Sequence, residues 1–200
     1  MIEGLTGVVL AGGKSRRVGS NKALADWGCA TLLETVVSSL SAVVPKVLVV
    51  TKEKGPFAYL ERGGVRVIED LFRQDHPLGG LYTGLQGLKT RHAFVCACDM
   101  PLIEPKLIEA LWEARADYDA VIPLWQGKRQ TLCGIYSKDC AGMIRAAIDH
   151  DALGIHKLFD SLKTRFFLEE ETKRADPQGR SFMDIDTAED YARVKKVSAC

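Results

Sequence analysis

The chain has 200 residues, with 27 Lys and Arg against 26 Asp and Glu and a formal net charge of +1. This balance excludes the broad positive potential that attracts nucleic acid or anionic membranes, so we expect neither partner. Hydrophobic residues make up 46% of the chain, as in ordinary soluble globular proteins. At this length one hydrophobic core can stabilise a domain without disulfides or metals.

The six cysteines form no C-x-x-C pair and show no Cys/His spacing typical of zinc sites. The opening stretch MIEGLTGVVL carries an acidic residue and a strand pattern instead of a signal peptide. No apolar run approaches the ~20 residues needed to span a bilayer. We therefore expect a cytoplasmic protein whose cysteines are mostly small core residues.

Apolar runs of strand length alternate with helical patterns up to residue 124. The predicted strands are 5–10, 46–50, 65–69, 92–98 and 119–124, and the predicted helices are 31–43, 78–88 and 105–117. Most of these strands are continuously apolar, which is typical of strands covered on both faces. The alternation predicts an α/β fold with a largely parallel sheet and helices on both sides.

The alternation is looser in the remaining chain. We predict strands over 131–137 and 165–170, and helices over 139–150, 154–162 and 187–197. Thr187 and Asp190 form a T-x-x-D capping box at the start of the last helix. No internal repeat or linker divides the sequence, so residues 1–200 are predicted to form one domain.

The stretch LAGGKSRRVGSNKAL, residues 10–24, follows the first predicted strand. It combines two adjacent glycines with four cations and no acid: Gly12, Gly13, Lys14, Arg16, Arg17 and Lys22. The glycines allow backbone N–H groups to approach an anion closely. The spacing fits neither the Walker A loop nor the dinucleotide fingerprint. A solvated turn with surface cations is the alternative, but this position beyond a buried strand favours phosphate binding.

Four segments together resemble the molybdenum cofactor guanylyltransferases within the sugar-phosphate-type nucleotidyltransferases. Residues 10–24 look like the L-A-G-G-x-S-x-R-M-G-x-x-K signature, and three further segments follow in the family's order: EDLFRQDHPLGGLYTGL (69–85), VCACDMPL (95–102) and FMDIDTAEDY (182–191). The sequence departs from the family pattern at Val18, Asn21, His76, Asp184 and Asp186. Those at 76, 184 and 186 leave the choice of substrate open.

The resemblance implies a three-layer αβα, Rossmann-like nucleotidyltransferase fold with a mostly parallel mixed sheet. The N-terminal part would bind the nucleotide and the C-terminal part the acceptor. The implied reaction transfers GMP from GTP to the phosphate of molybdenum-loaded molybdopterin and releases pyrophosphate. Transient contacts with molybdopterin-delivering proteins or molybdoenzymes would follow. The sequence sets no oligomeric state and is compatible with a monomer.

Nucleotidyl transfer brings two anions together, so positive charge must neutralise their repulsion. Lys22 and Arg17 are the predicted phosphate contacts, because Lys is a compact charge and Arg can clasp two phosphate oxygens. Mg²⁺ is the predicted cofactor, since it prefers carboxylates, phosphates and water. Asp99 follows a buried strand and is the predicted first metal ligand. Asp184 or Asp186 could complete the site, and the resemblance favours Asp186.

The predicted nucleotide-binding residues are Leu10, Ala11, Gly12, Gly13, Lys22, Thr51, Asp70, Pro77, Leu78 and Asp99. The role of Asp70 is implied by the resemblance, whereas Thr51 is predicted from its place after the second strand. His76 is expected to shape its loop and not to act as a base, because a phosphate nucleophile is already ionised at pH 7. Arg129 and Gln130 could face the acceptor, although Arg129 is equally compatible with an ordinary loop charge.

Two other functions remain open on the sequence. One is cytidylyl transfer to the same pterin or nucleotidyl transfer to a sugar phosphate, and a difference in base selectivity would be sought at residues 76–78. The other is a nucleotide-binding module without turnover, against which Lys22 and Asp99 both argue.

Overall fold

The computed structural model describes residues 1–12 and 22–198. Eight strands are found within these ranges: β1 (Leu5–Leu10), β2 (Lys46–Thr51), β3 (Val65–Glu69), β4 (His92–Ala97), β5 (Ala120–Trp125), β6 (Lys128–Arg129), β7 (Cys133–Ser137) and β8 (Thr164–Phe167). The five strands predicted before residue 124 are all present, with ends shifted by no more than one residue.

Seven α-helices are found in the same ranges: α1 (Leu32–Ser41), α2 (Pro77–Gln86), α3 (Pro105–Glu113), α4 (Ala141–Asp149), α5 (Ile155–Leu158), α6 (Glu169–Ala175) and α7 (Ala188–Ser198). Short 3₁₀ turns lie at Lys22–Leu24, Gly55–Leu60, Lys138–Cys140 and Arg180–Phe182. The predicted Thr187–Asp190 capping box is confirmed, since the Asp190 amide donates to the Thr187 hydroxyl and the Thr187 amide to the Asp190 carboxylate. No helix in the described part of the chain is long and apolar enough to cross a membrane.

The strands form one mixed sheet. Its order is β3-β2-β1-β4-β7-β5, and β8 lies outside β5 because β5 pairs β7 and β8 through the same residues, Ala120 and Val121. The strands β1, β2, β3, β4, β5 and β8 share one direction, while β7 is antiparallel to both its neighbours. The two-residue β6 pairs antiparallel with the end of β5. The predicted mostly parallel mixed sheet is therefore confirmed.

Helices cover both faces of this sheet. Apolar residues of α1 and α3 pack on one face, against side chains such as Val9 and Cys96. Helices α2, α4 and α5 pack on the other face, against Val8 and Val95. Successive strand residues point to opposite faces of the sheet. Because each face is covered by helices, both Val8 and Val9 are buried, as are both Val95 and Cys96. This explains the continuously apolar strands and confirms the three-layer αβα arrangement.

Some predicted elements end earlier than expected, since the helices predicted over 105–117 and 154–162 end at Glu113 and Leu158. The strand expected over 165–170 ends at Phe167, and Glu169–Ala175 forms helix α6. Three acidic residues occupy the first turn of α6, where they interact favourably with the positive end of the helix dipole. The Glu171 carboxylate also accepts the Leu168 backbone N–H at 2.8 Å. Local helix-starting interactions therefore overrode the apolar strand pattern.

Candidate active site

The strand register places four residues that follow the strand ends at the same level of the sheet: Gly12, Lys52, Asp70 and Asp99. Leu10 pairs with Val50 in β2 and with Ala97 in β4, so Gly12, Lys52 and Asp99 each lie two residues beyond the paired positions. Asp70 follows Glu69, the partner of Thr51, and reaches the same level. The carboxyl ends of the parallel strands thus form a row across β3, β2, β1 and β4, where ligands bind in open α/β sheets.

The ammonium of Lys22 bridges two carboxylates at the β4 end of this row. Its Nζ lies 2.7 Å from Asp99 Oδ2 and 2.7 Å from Asp186 Oδ1. Burial of Lys22 alone would lower its pKa, but the charges and hydrogen bonds of the two carboxylates outweigh burial and raise the pKa above its usual value. The side chain therefore remains charged between its partners and links segments distant in sequence.

Asp186 reaches Lys22 through the chain segment before α7. The Ile185 backbone N–H donates to the Asp99 carbonyl at 3.1 Å, which fixes this segment beside the end of β4. Ile185 is buried while Asp184 and Asp186 are exposed, as expected for an extended segment with alternating faces. The position of Asp186 is thus set by a backbone hydrogen bond and a buried neighbour.

Asp184 lies in the same electrostatic environment. Its pKa is raised above the usual value, first by desolvation and then by the negative charges of Asp186 and Asp99. The ion pair with Lys22 nevertheless belongs to Asp186. The geometry therefore favours Asp186 as the second carboxylate of the site.

The β2–β3 end of the row is held by Lys52, which the sequence analysis did not single out. Its Nζ donates to Asp70 Oδ2 at 2.9 Å and to the carbonyls of Phe72 and Gln74 at 2.7 Å each. The Asp70 carboxylate is only 3% exposed and also accepts from the Thr83 hydroxyl at 2.8 Å. Asp70 therefore organises the loop that follows β3.

His76 ends that loop and begins α2. Its Nδ1 accepts the Gly79 backbone N–H at 2.9 Å, and Pro77 occupies the first helical position. This is an N-cap, in which a side chain satisfies a helix N–H that has no partner in the helix. The expectation that His76 shapes its loop is thus confirmed.

A cavity of about 460 Å³ joins the two ends of the row. The lining includes residues from β1, β2, the 70–76 loop, α2 and β4: Leu10, Gly12, Lys22, Val50, Lys52, Asp70, Asp75, His76, Pro77, Gly80, Ala97, Cys98, Asp99, Leu132 and Asp186. Charged side chains therefore lie at both ends of the cavity, Lys22, Asp99 and Asp186 at the β4 end and Lys52 and Asp70 at the β2–β3 end.

The predicted site residues separate into three groups. Leu10, Gly12, Lys22, Asp70, Pro77, Asp99 and Asp186 line the cavity. Gly13 and Arg17 lie outside the described residues, as do Lys14 and Arg16. Ala11, Thr51 and Leu78 are buried and are not part of the lining.

The side chains of the last group lie in the protein interior. Leu78 is fully buried in the cluster beneath α2, and the Thr51 hydroxyl donates to the Glu53 carbonyl at 3.4 Å. The Ala11 backbone N–H is occupied by the Val50 carbonyl at 2.8 Å. Because β2 extends through Thr51, the side chain at the strand end that faces the cavity is Lys52. The second strand was predicted to end at residue 50, so Thr51 and not Lys52 was placed just beyond the strand end.

Cys98 borders the cavity beside Asp99, but its thiol is unsuited to binding a soft metal. Burial and the Asp99 charge raise its pKa to about 12, so the thiolate that metals require is disfavoured. This agrees with its interpretation as a buried strand residue.

Asp99 and Asp186 instead present the hard oxygen donors that suit a magnesium-type ion. The Lys22 ammonium already occupies a cationic position between them, which shows that the two carboxylates can share one positive charge. Among residues 1–12 and 22–198, no cluster of three or more His, Cys, Asp and Glu forms a complete metal site.

Comparison with known proteins agrees with this geometry. Residues 7–166 match the family model described as a MobA-like NTP transferase domain. The chain belongs to this family. It is 31% identical to a protein of Natranaerobius thermophilus named "Probable molybdenum cofactor guanylyltransferase", over 98% of this chain and 97% of that protein. It is also 29% identical to the molybdenum cofactor guanylyltransferase of Desulfosudis oleivorans, over 97% of this chain and 96% of that protein.

A solved structure of the same fold supports the architecture of this MobA-like chain. Molybdopterin-guanine dinucleotide biosynthesis protein A from Archaeoglobus fulgidus superposes with a TM-score of 0.84 at 24% identity, covering 97% of this chain and 98% of that one. At this identity the likeness concerns the fold. The enzyme class of the MobA-like family, nucleotidyl transfer, comes from the family model and the named relatives.

Proposed function

We propose that this chain transfers GMP from GTP to the phosphate of molybdenum-loaded molybdopterin, giving the guanine dinucleotide form of the cofactor and pyrophosphate. The observation that carries the chemistry is the Lys22 ammonium held between Asp99 and Asp186, at 2.7 Å from each, in a cavity at the strand ends. The names of the full-length relatives support the choice of nucleotide and acceptor.

Lys22 would bind the triphosphate tail. A phosphate oxygen offers the ammonium a partner of higher negative charge than either carboxylate, so Lys22 would turn from Asp99 and Asp186 towards the nucleotide. The two carboxylates would then lack a shared cation and would hold Mg²⁺ between them. When bound, this ion neutralises phosphate charge and makes the α-phosphorus more electrophilic.

The glycine loop would complete the phosphate site. Backbone N–H groups at Gly12 and Gly13 would approach the phosphates closely, and Arg17 would clasp two of their oxygens. The rest of the nucleotide would lie along Leu10, Lys52 and the 70–76 loop towards Pro77. Ala11, Thr51 and Leu78 would support this surface from within the core.

The acceptor would enter from the β7 side, where Leu132 lines the cavity. Its phosphate is ionised at neutral pH, so the site needs to orient the nucleophile and does not need a strong base. Arg129 stacks on Phe166, with its guanidinium carbon 4.6 Å from the ring centroid, and Gln130 lies beside it in sequence. These residues would contact the acceptor at the rim.

In this arrangement the two parts of the chain would bind different substrates. Residues 1–200 would act as one nucleotidyltransferase domain in the cytoplasm, with nucleotide contacts mainly in the N-terminal part and acceptor contacts mainly in the C-terminal part. A monomer would be sufficient, because Lys22, Asp99 and Asp186 all come from one chain. The product would pass to a molybdoenzyme through a transient contact.

The test supplies purified protein with Mg²⁺, loaded molybdopterin and each of the four ribonucleoside triphosphates in turn. We expect pyrophosphate release and a dinucleotide product, identified by mass spectrometry, with GTP alone. Asp99→Asn should abolish transfer, because it removes the charge that pairs with Lys22 and would hold the metal. Product from CTP, or from GTP with a sugar phosphate as acceptor, would contradict the proposal. Tight GTP binding without product would indicate a non-catalytic nucleotide-binding module.

A further inference from the structure

The 70–76 loop closes the β3 end of the cavity and is fastened there by Lys52. The Lys52 ammonium is 2.9 Å from the Asp70 carboxylate and 2.7 Å from each of the Phe72 and Gln74 carbonyls. One charged group therefore holds both the start and the middle of the loop. Such charge-assisted hydrogen bonds are stronger than neutral ones, so the loop presents a defined wall to the cavity.

At the end of this loop, the tautomer of His76 is determined by the helix cap. Its Nδ1 accepts the Gly79 backbone N–H at 2.9 Å and therefore carries no proton. Burial, and next the charge of Lys52, lower the pKa of His76 below its usual value, while Asp70 and Asp151 act in the opposite direction. The neutral imidazole thus carries its proton on Nε2, which is a hydrogen-bond donor.

This donor has no acceptor in the described part of the chain. Nε2 is buried, and no hydrogen-bond partner lies within reach of it there. The ring packs beside Phe72 at a centroid distance of 5.8 Å and an angle of 55°, and that ring has no lone pair to offer. Buried polar groups in folded proteins nearly always have a partner, so this donor in a cavity wall lacks an acceptor that the described part of the chain does not supply.

The position of His76 in the cavity indicates which part of a nucleotide it would meet. Lys22 and Asp99 lie at the β1–β4 end, and His76 lies with Lys52 and Asp70 at the β2–β3 end. Strands β3 and β4 are three spacings apart, about 14 Å. A triphosphate tail held at Lys22 therefore directs the base towards His76.

We propose that His76 is a specificity-determining residue whose Nε2–H donates to the exocyclic carbonyl oxygen of the nucleotide base, which is O6 in guanine. The inference rests on the proposed function and deepens it. Guanine presents an acceptor at this position where adenine presents an amino donor, which would face the His76 donor without a hydrogen bond. Because Nε2 is enclosed in the structure without a nucleotide, the proposed bond requires a small shift of the imidazole towards the base on binding.

The experiment pairs one protein variant with one ligand variant. His76→Asn retains a side-chain oxygen for the Gly79 N–H, since Asn is a favourable N-cap, but it removes the imidazole donor. The triphosphate of 2-aminopurine riboside lacks O6 and keeps the other ring substituent of guanine. Calorimetric titrations give the Kd of each nucleotide with each protein, and melting temperatures verify that both proteins are folded.

We expect the wild type to bind GTP about tenfold more tightly than the 2-aminopurine nucleotide, as for one hydrogen bond in a water-excluded site. His76→Asn should bind GTP about tenfold more weakly and should no longer distinguish the two nucleotides. Arg73→Gln is the control, because Arg73 is exposed on the same loop and is not part of the cavity lining, and it should retain the wild-type ratio.

Two results would overturn the role of His76 while leaving the proposed function intact. One is a wild type that binds both nucleotides equally well yet forms the dinucleotide from GTP. The other is a His76→Asn variant that keeps the wild-type ratio, or loses affinity for both nucleotides equally. A wild type that binds no GTP at all would instead contradict the proposed function.

Discussion

Lys22 determines the charge balance of the cavity, because it separates two carboxylates that would otherwise repel each other. Its ammonium is within 2.7 Å of both Asp99 and Asp186, and its side chain is only 14% exposed. Removal of one partner from a half-buried ion pair leaves the other charges uncompensated. The same carboxylates are the proposed metal ligands, so Lys22 and a divalent cation would compete for them until a nucleotide drew the lysine away.

This competition predicts the behaviour of Lys22→Met without nucleotide. Mn²⁺, a spectroscopic substitute for Mg²⁺, should bind the variant at least tenfold more tightly than the wild type, because the competing cation is gone. A tenfold change in Kd corresponds to about 1.4 kcal/mol of binding free energy. GTP should bind the variant more weakly, since the proposed phosphate contact is lost. Electron paramagnetic resonance titrations of free Mn²⁺ measure the first effect directly.

Lys54→Met is the matched control for this measurement. Lys54 pairs with Glu61 at 3.0 Å and is not part of the cavity lining, so its removal should leave Mn²⁺ binding unchanged. An unchanged Mn²⁺ affinity in Lys22→Met would show that the lysine does not compete for the carboxylates.

At the level of single residues, the sequence predicted what lies in recognisable motifs and missed what depends on three-dimensional contacts. Lys22, Asp99 and Asp186 were predicted and meet at one point. Lys52 follows a strand end without any motif of its own, and its role depends on the carbonyls of a loop about twenty residues further along the chain. Backbone acceptors carry no signature in the sequence, so such contacts cannot be predicted from residue types.

Glycines on the inner face of helix α2 allow it to pack against the sheet where larger side chains would clash. A Cβ atom at Gly84 would lie 2.6 Å from Val8 Cγ1, and one at Gly87, just after the helix, would lie 2.7 Å from Leu48 Cδ2. Both distances are shorter than van der Waals contact. The close approach also brings Gly80 to the cavity wall, so the glycines set the position of the helix that carries His76 at its N-terminus.

This packing predicts opposite effects for two Gly→Ala substitutions. Gly84→Ala should destabilise the protein by about 1–3 kcal/mol, because the extra methyl group overpacks the contact with Val8. Gly142→Ala should stabilise it by about 0.4–1 kcal/mol, since Gly142 lies in α4 with open space around its Cα and alanine reduces the entropy of the unfolded chain. Denaturant unfolding of both variants measures the difference. Equal effects would contradict the proposed close packing of α2.

At the level of elements, prediction succeeded where each element had one dominant pattern. Strands β1, β2 and β4 are buried on both faces, and their continuous apolar runs have no competing interpretation. The segment after Arg165 combines an apolar run with a helix start at Leu168, and the acidic first turn of α6 decided between them. The two-residue β6 depends on its pairing with β5 and has no periodicity of its own.

Across the whole molecule, the active site depends on a contact between the two ends of the chain. Helix α7 packs beside the start of α1 through a cluster of Leu32, Ile185 and Val194. The Tyr191 hydroxyl also donates to the Asp26 carbonyl at 2.8 Å. These contacts hold the segment that carries Asp186 next to the turn that begins at Lys22. The family resemblance predicted that this segment is functional, but only the fold shows how a C-terminal helix positions it.

The dependence on α7 predicts a linked loss of stability and metal binding in Val194→Ala. Val194 is fully buried, so loss of two methyl groups should cost about 2 kcal/mol and lower the Tm by about 4–8 °C. Because Ile185 packs in the same cluster and its neighbour Asp186 is a proposed ligand, the nucleotide complex should also bind Mn²⁺ more weakly. Leu168→Ala is the control, since Leu168 is 57% exposed and its removal should change stability by less than about 0.5 kcal/mol. If Val194→Ala lowered the Tm while Mn²⁺ affinity stayed at the wild-type level below the transition, α7 would stabilise the fold without positioning Asp186.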